Sequence, residues 1–266
     1  MNFDLTHMPD RAAEPRNSGI TMVMDKGLSL REAEDMVDAG GHFIDFVKLG
    51  FGTGMITNRV EEKIKFYQRN NIKCYFGGTL FEAFAIRNKF DDYLRLVEKF
   101  GMAAAEVSDG SMVMDHNKKC EYIAKIAKDR VVLSEVGFKV AGVTINHEEW
   151  VRRMNTELHA GSFKVIAEAR ESGNVGIYKA DGSADTDLIE DIRKKVKVEN
   201  IIWEAPIKSQ QVWFIKLLGS NVNLGNIAVN EVISLETLRL GLRGDTFFCF
   251  LPEEMKKGHI LTPDSE

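Results

Sequence analysis

The chain has 266 residues, 44% hydrophobic and 28% charged, with a net charge of −5. That composition belongs to a globular protein able to build a sizeable core, not to a disordered or fibrous chain. Lys and Arg are dispersed, without a basic run or interleaved aromatics, so nucleic acid is not an expected partner.

Residues 1–18 are polar, carry Pro9 and Pro15, and predict an arm that packs on the body or on a neighbour. Ile20–Met24 predicts a strand running into Asp25, Lys26 and Gly27, and Leu30, Ala33, Met36 and Val37 then form a helical stripe that ends at Gly40-Gly41. Phe43–Leu49 predicts the second strand, with Lys48 near its end, followed by a helix over 58–70. Ile72–Phe76 predicts the third strand, Gly77-Gly78 its end, and 82–100 one long helix. The fourth strand, Ala103–Val107, leads to Ser108, Asp109 and a helix over 115–128; the fifth, Val131–Val136, leads to Gly137, Lys139 and a helix over 147–160.

The sixth strand lies in Phe163–Ala169, where the apolar run Val165-Ile166-Ala167 turns abruptly into Glu168, Arg170 and Glu171. A period of two puts Lys164, Ile166, Glu168 and Arg170 on one face. A helix over 184–196 and a strand over 200–204 follow, the strand ending at Glu204 with Lys208 beyond it. A helix over 210–218, a short eighth strand at Val222–Leu224 followed by Gly225 and Asn226, and a last helix over 230–242 complete the pattern.

Alternating strands and helices imply a parallel sheet with right-handed crossovers. Eight such units without a composition break predict a single (β/α)8 barrel domain, α/β in class, over residues 1–266, with the arm at 1–18 and an irregular tail at 247–266. An open doubly wound sheet is the alternative, but Gly50-Phe51-Gly52-Thr53-Gly54 has no third glycine at the offset a dinucleotide fingerprint needs. Cys74, Cys120 and Cys249 are far apart and read as free thiols of a reducing compartment. Residues 1–19 lack a signal peptide's apolar stretch, and no run approaches the roughly 18 apolar residues of a membrane span. The expected location is therefore cytoplasmic, with no membrane partner.

In such a barrel the active site lies at the C-terminal strand ends. There the sequence places Asp25, Lys26, Lys48, Glu106, Ser108, Glu135, Lys139, Glu168, Arg170, Glu204, Lys208 and Asn226. Carboxylates converging on one mouth repel unless cations balance them, and hard oxygen donors without a His/Cys cluster favour Mg²⁺ over zinc. Lys48, Lys139, Arg170 and Lys208 suit an anionic substrate, and Gly225-Asn226 sits where many such barrels hold phosphate. Plainer roles exist for each: a lone strand-end Glu also caps loops, Gly77-Gly78 also makes a tight turn, and a single lysine is also a solvated one. Asp45, on the strand face opposite Lys48, is expected to face the helices. His42, His116, His147 and His159 are scattered and are not expected to be ligands.

The stretches MVMDKG (22–27), FVKLGFGT (46–53), GGTLFE (77–82), EVSDG (106–110), SEVGFK (134–139), EARESG (168–173), EAPIKSQQ (204–211), VNLGNI (222–227) and EVISLETLRLGLRGDT (231–246) together resemble the phosphosulfolactate synthase family, from about Gly19 to about Thr246. The resemblance implies a (βα)8 barrel that depends on Mg²⁺ and adds sulfite to phosphoenolpyruvate, giving (2R)-phospho-3-sulfolactate on a route to coenzyme M or sulfolactate. It also implies a homo-oligomer. Under it, Glu106, Glu135 and Glu168, on adjacent strands, are expected to hold Mg²⁺, with Glu204 in reserve. Lys139, or Lys48 as second choice, is expected to protonate C2, which asks for a depressed lysine pKa. Lys26, Arg170 and Lys208 are the candidates for phosphate and sulfite. The same family includes plant heat-stress-associated proteins, so a non-catalytic relative is one alternative. Another is a different Mg²⁺-dependent barrel enzyme acting on a phosphorylated or enolisable acid, for instance an aldolase using Lys48.

Overall fold

The computed structural model describes residues 2–138 and 145–261. Along the chain run β1 (Thr21–Asp25), α1 (Leu30–Gly40), β2 (Phe46–Leu49), α2 (Val60–Arg69), β3 (Lys73–Phe76), α3 (Gly78–Ala85), α4 (Phe90–Lys99), β4 (Ala104–Val107) and α5 (His116–Ile126). There follow β5 (Val131–Val136), α6 (His147–His159), β6 (Lys164–Ala167), α7 (Thr186–Lys195), β7 (Ile201–Glu204), α8 (Lys208–Leu218), β8 (Leu224–Ala228), α9 (Val232–Arg239) and a short α10 (Glu253–Lys256). The strands form one parallel ladder in the order β3-β2-β1-β8-β7-β6-β5-β4, with β3 and β4 side by side at the seam. This is the expected (β/α)8 barrel, nearly closed. Helix starts follow local chemistry: Ser29 and Glu32 form a capping box on α1, and Asp115, Asn146 and Asp185 cap α5, α6 and α7.

The barrel interior explains where the site sits. Ile20, Met22, Phe46, Tyr75, Ala104, Leu133, Ile166 and Ile202 form one buried apolar cluster that plugs the N-terminal half. Two residues further along each strand the side chain points inward again. Those next positions are Lys48 after Phe46, Glu106 after Ala104, Glu135 after Leu133, Glu168 after Ile166 and Glu204 after Ile202. A buried apolar layer thus floors a layer of charge at the C-terminal end. Two further clusters pack the outer strand faces against the helices, one around Tyr67, Phe81 and Tyr93, the other around Trp150, Trp203 and Phe214.

The structure departs from the sequence expectations in three places. The helix expected over 82–100 is two helices. Asn88 adopts φ 57°, and the Lys89 N–H returns to the Phe84 carbonyl at 2.9 Å, an ending of the kind asparagine supports nearly as well as glycine. The eighth strand starts at Leu224 and includes Gly225 and Asn226. Its pairing with β1 slips between Thr21 and Val23, and Asn226, at φ 56°, absorbs the extra residue as a bulge. The tail expected to be irregular contains α10. Residues 2–18 have no helix or strand, yet Arg11 ties them to the body through Glu236 (2.7 Å) and the Ser220 carbonyl (3.1 Å). Asp45 faces away from the barrel interior, accepting from the Thr21 N–H at 2.9 Å.

Candidate active site

A cavity of about 250 Å³ opens at the C-terminal end of the barrel, lined by Lys48, Glu135, Glu168, Arg170, Glu171 and Glu204 together with Thr79, Ser111 and Asn226. A larger cavity of about 770 Å³ opens at the opposite end, between the arm and the apolar plug. Among the described residues its walls, including Phe46, Ala103, Val131 and Phe163, bring no carboxylate cluster together, and the C-terminal mouth is the candidate site.

Lys48 is the centre of that mouth. Its Nζ lies 2.9 Å from Glu135 Oε2, 3.0 Å from Glu106 Oε1 and 3.5 Å from Glu204 Oε1, with the lysine side chain 7% exposed. Burial alone pulls its pKa down, but Glu106, Glu135 and Glu204 together hold it well above the ordinary value. The depressed pKa expected of an acid at this position is therefore not what the structure gives Lys48. Surrounded by carboxylates, its ammonium is stabilised, not destabilised. Glu204 shows the other side of the balance. Burial and the neighbouring Glu135 and Glu106 push it up to about 7, against the pull of Lys48 and of the Ala169 N–H that donates to it at 2.9 Å.

Three residues build the wall beside Lys48. Gly78, at the first turn of α3, donates its N–H to Glu106 Oε1 at 2.5 Å. A Cβ there would come within 2.4 Å of Ser108 Cβ and 2.6 Å of Glu106 Oε1, so only glycine lets the helix start approach this closely. Ser108 Oγ lies 2.5 Å from Glu82 Oε1 and 2.9 Å from Glu135 Oε1, one hydroxyl between two carboxyl groups. Glu82 joins this wall through Ser108 without having been singled out in the sequence, because the helix was expected to begin at it. A helix that starts at Gly78, straight after the strand, puts Glu82 one turn in and on the same face as Gly78.

The rim holds the remaining candidates. Arg170 is exposed and lines the cavity wall next to Glu168. Lys26 sits at the mouth's edge, 2.6 Å from Glu171 Oε2. Asp25, one residue before it, serves the loop instead: it accepts from the N–H groups of Gly27 and Leu28 at 2.8 Å and pairs with buried Lys63 at 2.7 Å. Asn226 lines the cavity and donates to the Ala169 carbonyl at 3.1 Å, tying β8 to the end of β6. Gly225 is a packing glycine: a Cβ would strike Met22 Cε at 2.6 Å and Ile202 Cγ2 at 2.8 Å. Lys208 does not line the cavity; its ammonium pairs with Asp245 at 3.0 Å, out on α8. Lys139 lies outside the described residues.

Among the described residues, Glu135, Glu168 and Glu204 turn one carboxylate oxygen each into a common space, all within 4.8 Å of one another. Octahedral Mg²⁺, with oxygens at about 2.1 Å, sets neighbouring and opposite ligands roughly 3–4 Å apart. The trio is an all-oxygen donor set of the kind Mg²⁺ takes, with no His or Cys in it. Among the described residues, the lining holds the carboxylates Glu135, Glu168, Glu171 and Glu204 and the cations Lys48 and Arg170. The shell expected from sequence was Glu106, Glu135 and Glu168; the structure groups Glu204 with the last two and holds Glu106 against Lys48 and Gly78.

Comparison with known proteins places this site in a family. The family model described as (2R)-phospho-3-sulfolactate synthase (ComA) matches residues 9–245. A phosphosulfolactate synthase of Bacillus subtilis (strain 168) is 40% identical over 251 residues, covering 93% of this chain and 100% of that protein. One of Methanocaldococcus jannaschii is 45% identical over 236 residues, covering 86% and 94%. Among solved structures, 3-hexulose-6-phosphate synthase from Salmonella typhimurium aligns with a TM-score of 0.53 at 14% identity, covering 84% of this chain and 100% of that one; this likeness is one of fold. With a family match that runs through every strand of the barrel, the chain belongs to the (2R)-phospho-3-sulfolactate synthase family.

Proposed function

We propose that this chain adds sulfite to C3 of phosphoenolpyruvate to give (2R)-phospho-3-sulfolactate, a carbon–sulfur lyase reaction run in the addition direction, and that it does so with Mg²⁺. The observation that carries the reading is the Glu135–Glu168–Glu204 trio beside Lys48 at the bottom of a small polar-rimmed cavity, in a chain of this family. The cavity is below the roughly 300–1,000 Å³ of drug-sized sites, which suits two small anions.

The lone pair on sulfur forms the C3–S bond. The C2=C3 π pair moves toward C1, so negative charge develops on the substrate carboxylate, and a proton delivered to C2 completes the product; no bond to phosphate breaks. Mg²⁺ held by Glu135, Glu168 and Glu204 would supply positive charge at the carboxylate oxygens where that charge collects. Lys48 pairs with Glu135 and Glu204, holding two of the three carboxylates in place, and adds a buried positive charge of its own. Arg170, on the cavity wall, and Lys26, beside Glu171 at its edge, are our choice for phosphate and sulfite, the guanidinium offering paired donors to an oxyanion. Lys139, four residues beyond Glu135 in sequence, is our choice for the acid at C2; unchanged turnover in Lys139→Ala would remove it from that role. A reducing, cytoplasmic setting suits the free cysteines Cys74, Cys120 and Cys249. Exposed apolar side chains at Phe51, Met55, Ile56 and Val113 on the loops after β2 and β4 suit a homo-oligomer. The product would feed coenzyme M or sulfolactate formation. No helix among the described residues is long and apolar enough to cross a membrane.

The test is incubation of the protein with phosphoenolpyruvate and sulfite, with Mg²⁺ or with EDTA, followed by phosphorus NMR. The expected result is a new phosphate ester that needs both sulfite and Mg²⁺. No new ester with any divalent cation would overturn the reading.

A further inference from the structure

A second cluster of buried charge lies behind β4 and β5, on the side away from the cavity. Lys119 of α5 is fully buried, with Nζ 2.8 Å from Asp109 Oδ1 and 2.8 Å from Glu157 Oε1. Asp109 Oδ2 also meets Arg153 at 3.3 Å, and Arg153 is itself held by Glu149 at 2.8 Å. Burial pulls the Lys119 pKa down, and Glu157 and Asp109 more than restore it, so the ammonium stays charged. Ion pairs buried this deeply add little net stability over apolar side chains of the same size. Their position must be explained by what they hold.

Lys119 holds the end of β5. Its Nζ donates to the Glu135 backbone carbonyl at 2.6 Å. The carbonyls of Val132 and Val136 turn toward β6, accepting from the N–H groups of Phe163 and Glu168. The intervening Glu135 carbonyl therefore turns the other way, toward β4. The β4–β5 ladder stops at Val107 and Ser134, so this carbonyl points past the last residue of β4. The ammonium takes the place of the missing strand. Through Asp109 the same group also fixes the residue after Ser108, whose hydroxyl meets Glu135 Oε1 at 2.9 Å. Both the backbone and the side chain of Glu135 are thus referred to one buried cation.

We propose that Lys119 is a positioning residue for Glu135, setting the direction of its carboxylate in the cation site without reaching the cavity itself. This rests on the Mg²⁺ reading above. Mn²⁺ binding to the full-length protein, measured by electron paramagnetic resonance and paired with thermal unfolding, tests it. Lys119→Met keeps the aliphatic stem and removes the bond to β5. Glu157→Gln disturbs the same cluster but leaves that bond. Loss of a group that orients a metal ligand costs roughly 10- to 100-fold in metal affinity. The expected result is Mn²⁺ binding at least about tenfold weaker in Lys119→Met and partly restored in Lys119→Arg. Glu157→Gln should unfold earlier yet bind Mn²⁺ within about twofold of wild type. If Lys119→Met does not fold, Lys119→Met/Glu157→Met, which removes charge and countercharge together, takes its place with the same expected loss. Wild-type affinity in the Lys119 variant, or equal weakening in Glu157→Gln, would overturn the proposal. A wild-type protein that binds no Mn²⁺ would overturn the cation reading, and this proposal with it.

Discussion

Glu204→Gln isolates the charge balance of the site. Glu204 is 1% exposed, accepts from the Ala169 N–H at 2.9 Å and lies 3.5 Å from Lys48 Nζ. Burial, with Glu135 and Glu106 nearby, lifts its pKa from 4.5 to about 7. The folded state therefore holds the proton more tightly than the unfolded chain does. A raised pKa means the stabilising contribution is complete below about pH 4.5 and is lost as pH rises through about 7. The difference corresponds to about 3 kcal/mol. Glutamine keeps the shape and the acceptor for Ala169 but does not titrate. Urea unfolding in EDTA between pH 5 and pH 8 should show the variant close to wild type at pH 5 and more stable by up to about 3 kcal/mol at pH 8. Saturating Mg²⁺ at pH 8 should reverse the order, because wild type gains the cation's binding energy and the variant has lost a ligand. A difference that does not change with pH, or that grows in wild type's favour without metal, would show that Glu204 does not carry this charge balance.

Other positions give distinct signatures. Lys48→Met leaves Glu106, Glu135 and Glu204 buried without their shared cation, and should cost about 3–5 kcal/mol of unfolding free energy at pH 8. Gly78→Ala drives a methyl against Ser108 and Glu106 at 2.4 and 2.6 Å; urea unfolding should show a loss of about 1–3 kcal/mol, with turnover reduced as the wall of the cavity shifts. Arg170→Lys should raise KM for phosphoenolpyruvate about tenfold, since an ammonium cannot reproduce a two-point contact with an oxyanion. Lys208→Ala should leave both kcat and KM within about twofold, because that lysine is engaged with Asp245 outside the cavity.

The barrel was legible because its strands announce themselves twice. Each is a short apolar run, and on five of them the next inward position after the apolar layer is charged, as in Ile166 then Glu168. That same alternation exposed Lys48, Glu106, Glu135, Glu168 and Glu204 as a group. Sequence could not apportion them, because which glutamates meet Lys48 and which meet Gly78 depends on the packing of the strand ends and on the start of α3. Glu82 was hidden by one helix boundary, and Asn88 by its lack of the glycine or proline that usually marks a break. Lys208 looked like a site residue from its place after a strand, but its partner, Asp245, lies 37 residues on in the chain. Lys119 gave no signal at all: on a helix it reads as one more solvated lysine, and only the packing of α5 on β5 makes it a buried one.

The proposed divalent cation site of Glu135, Glu168 and Glu204 is open to direct test. Anomalous diffraction from crystals soaked with Mn²⁺ and phosphoenolpyruvate addresses it directly. One strong peak is expected within coordinating distance of all three carboxylates, with the substrate beside Lys48 and Arg170. A peak elsewhere in the barrel, or an ordered substrate with no peak at this trio, would contradict it.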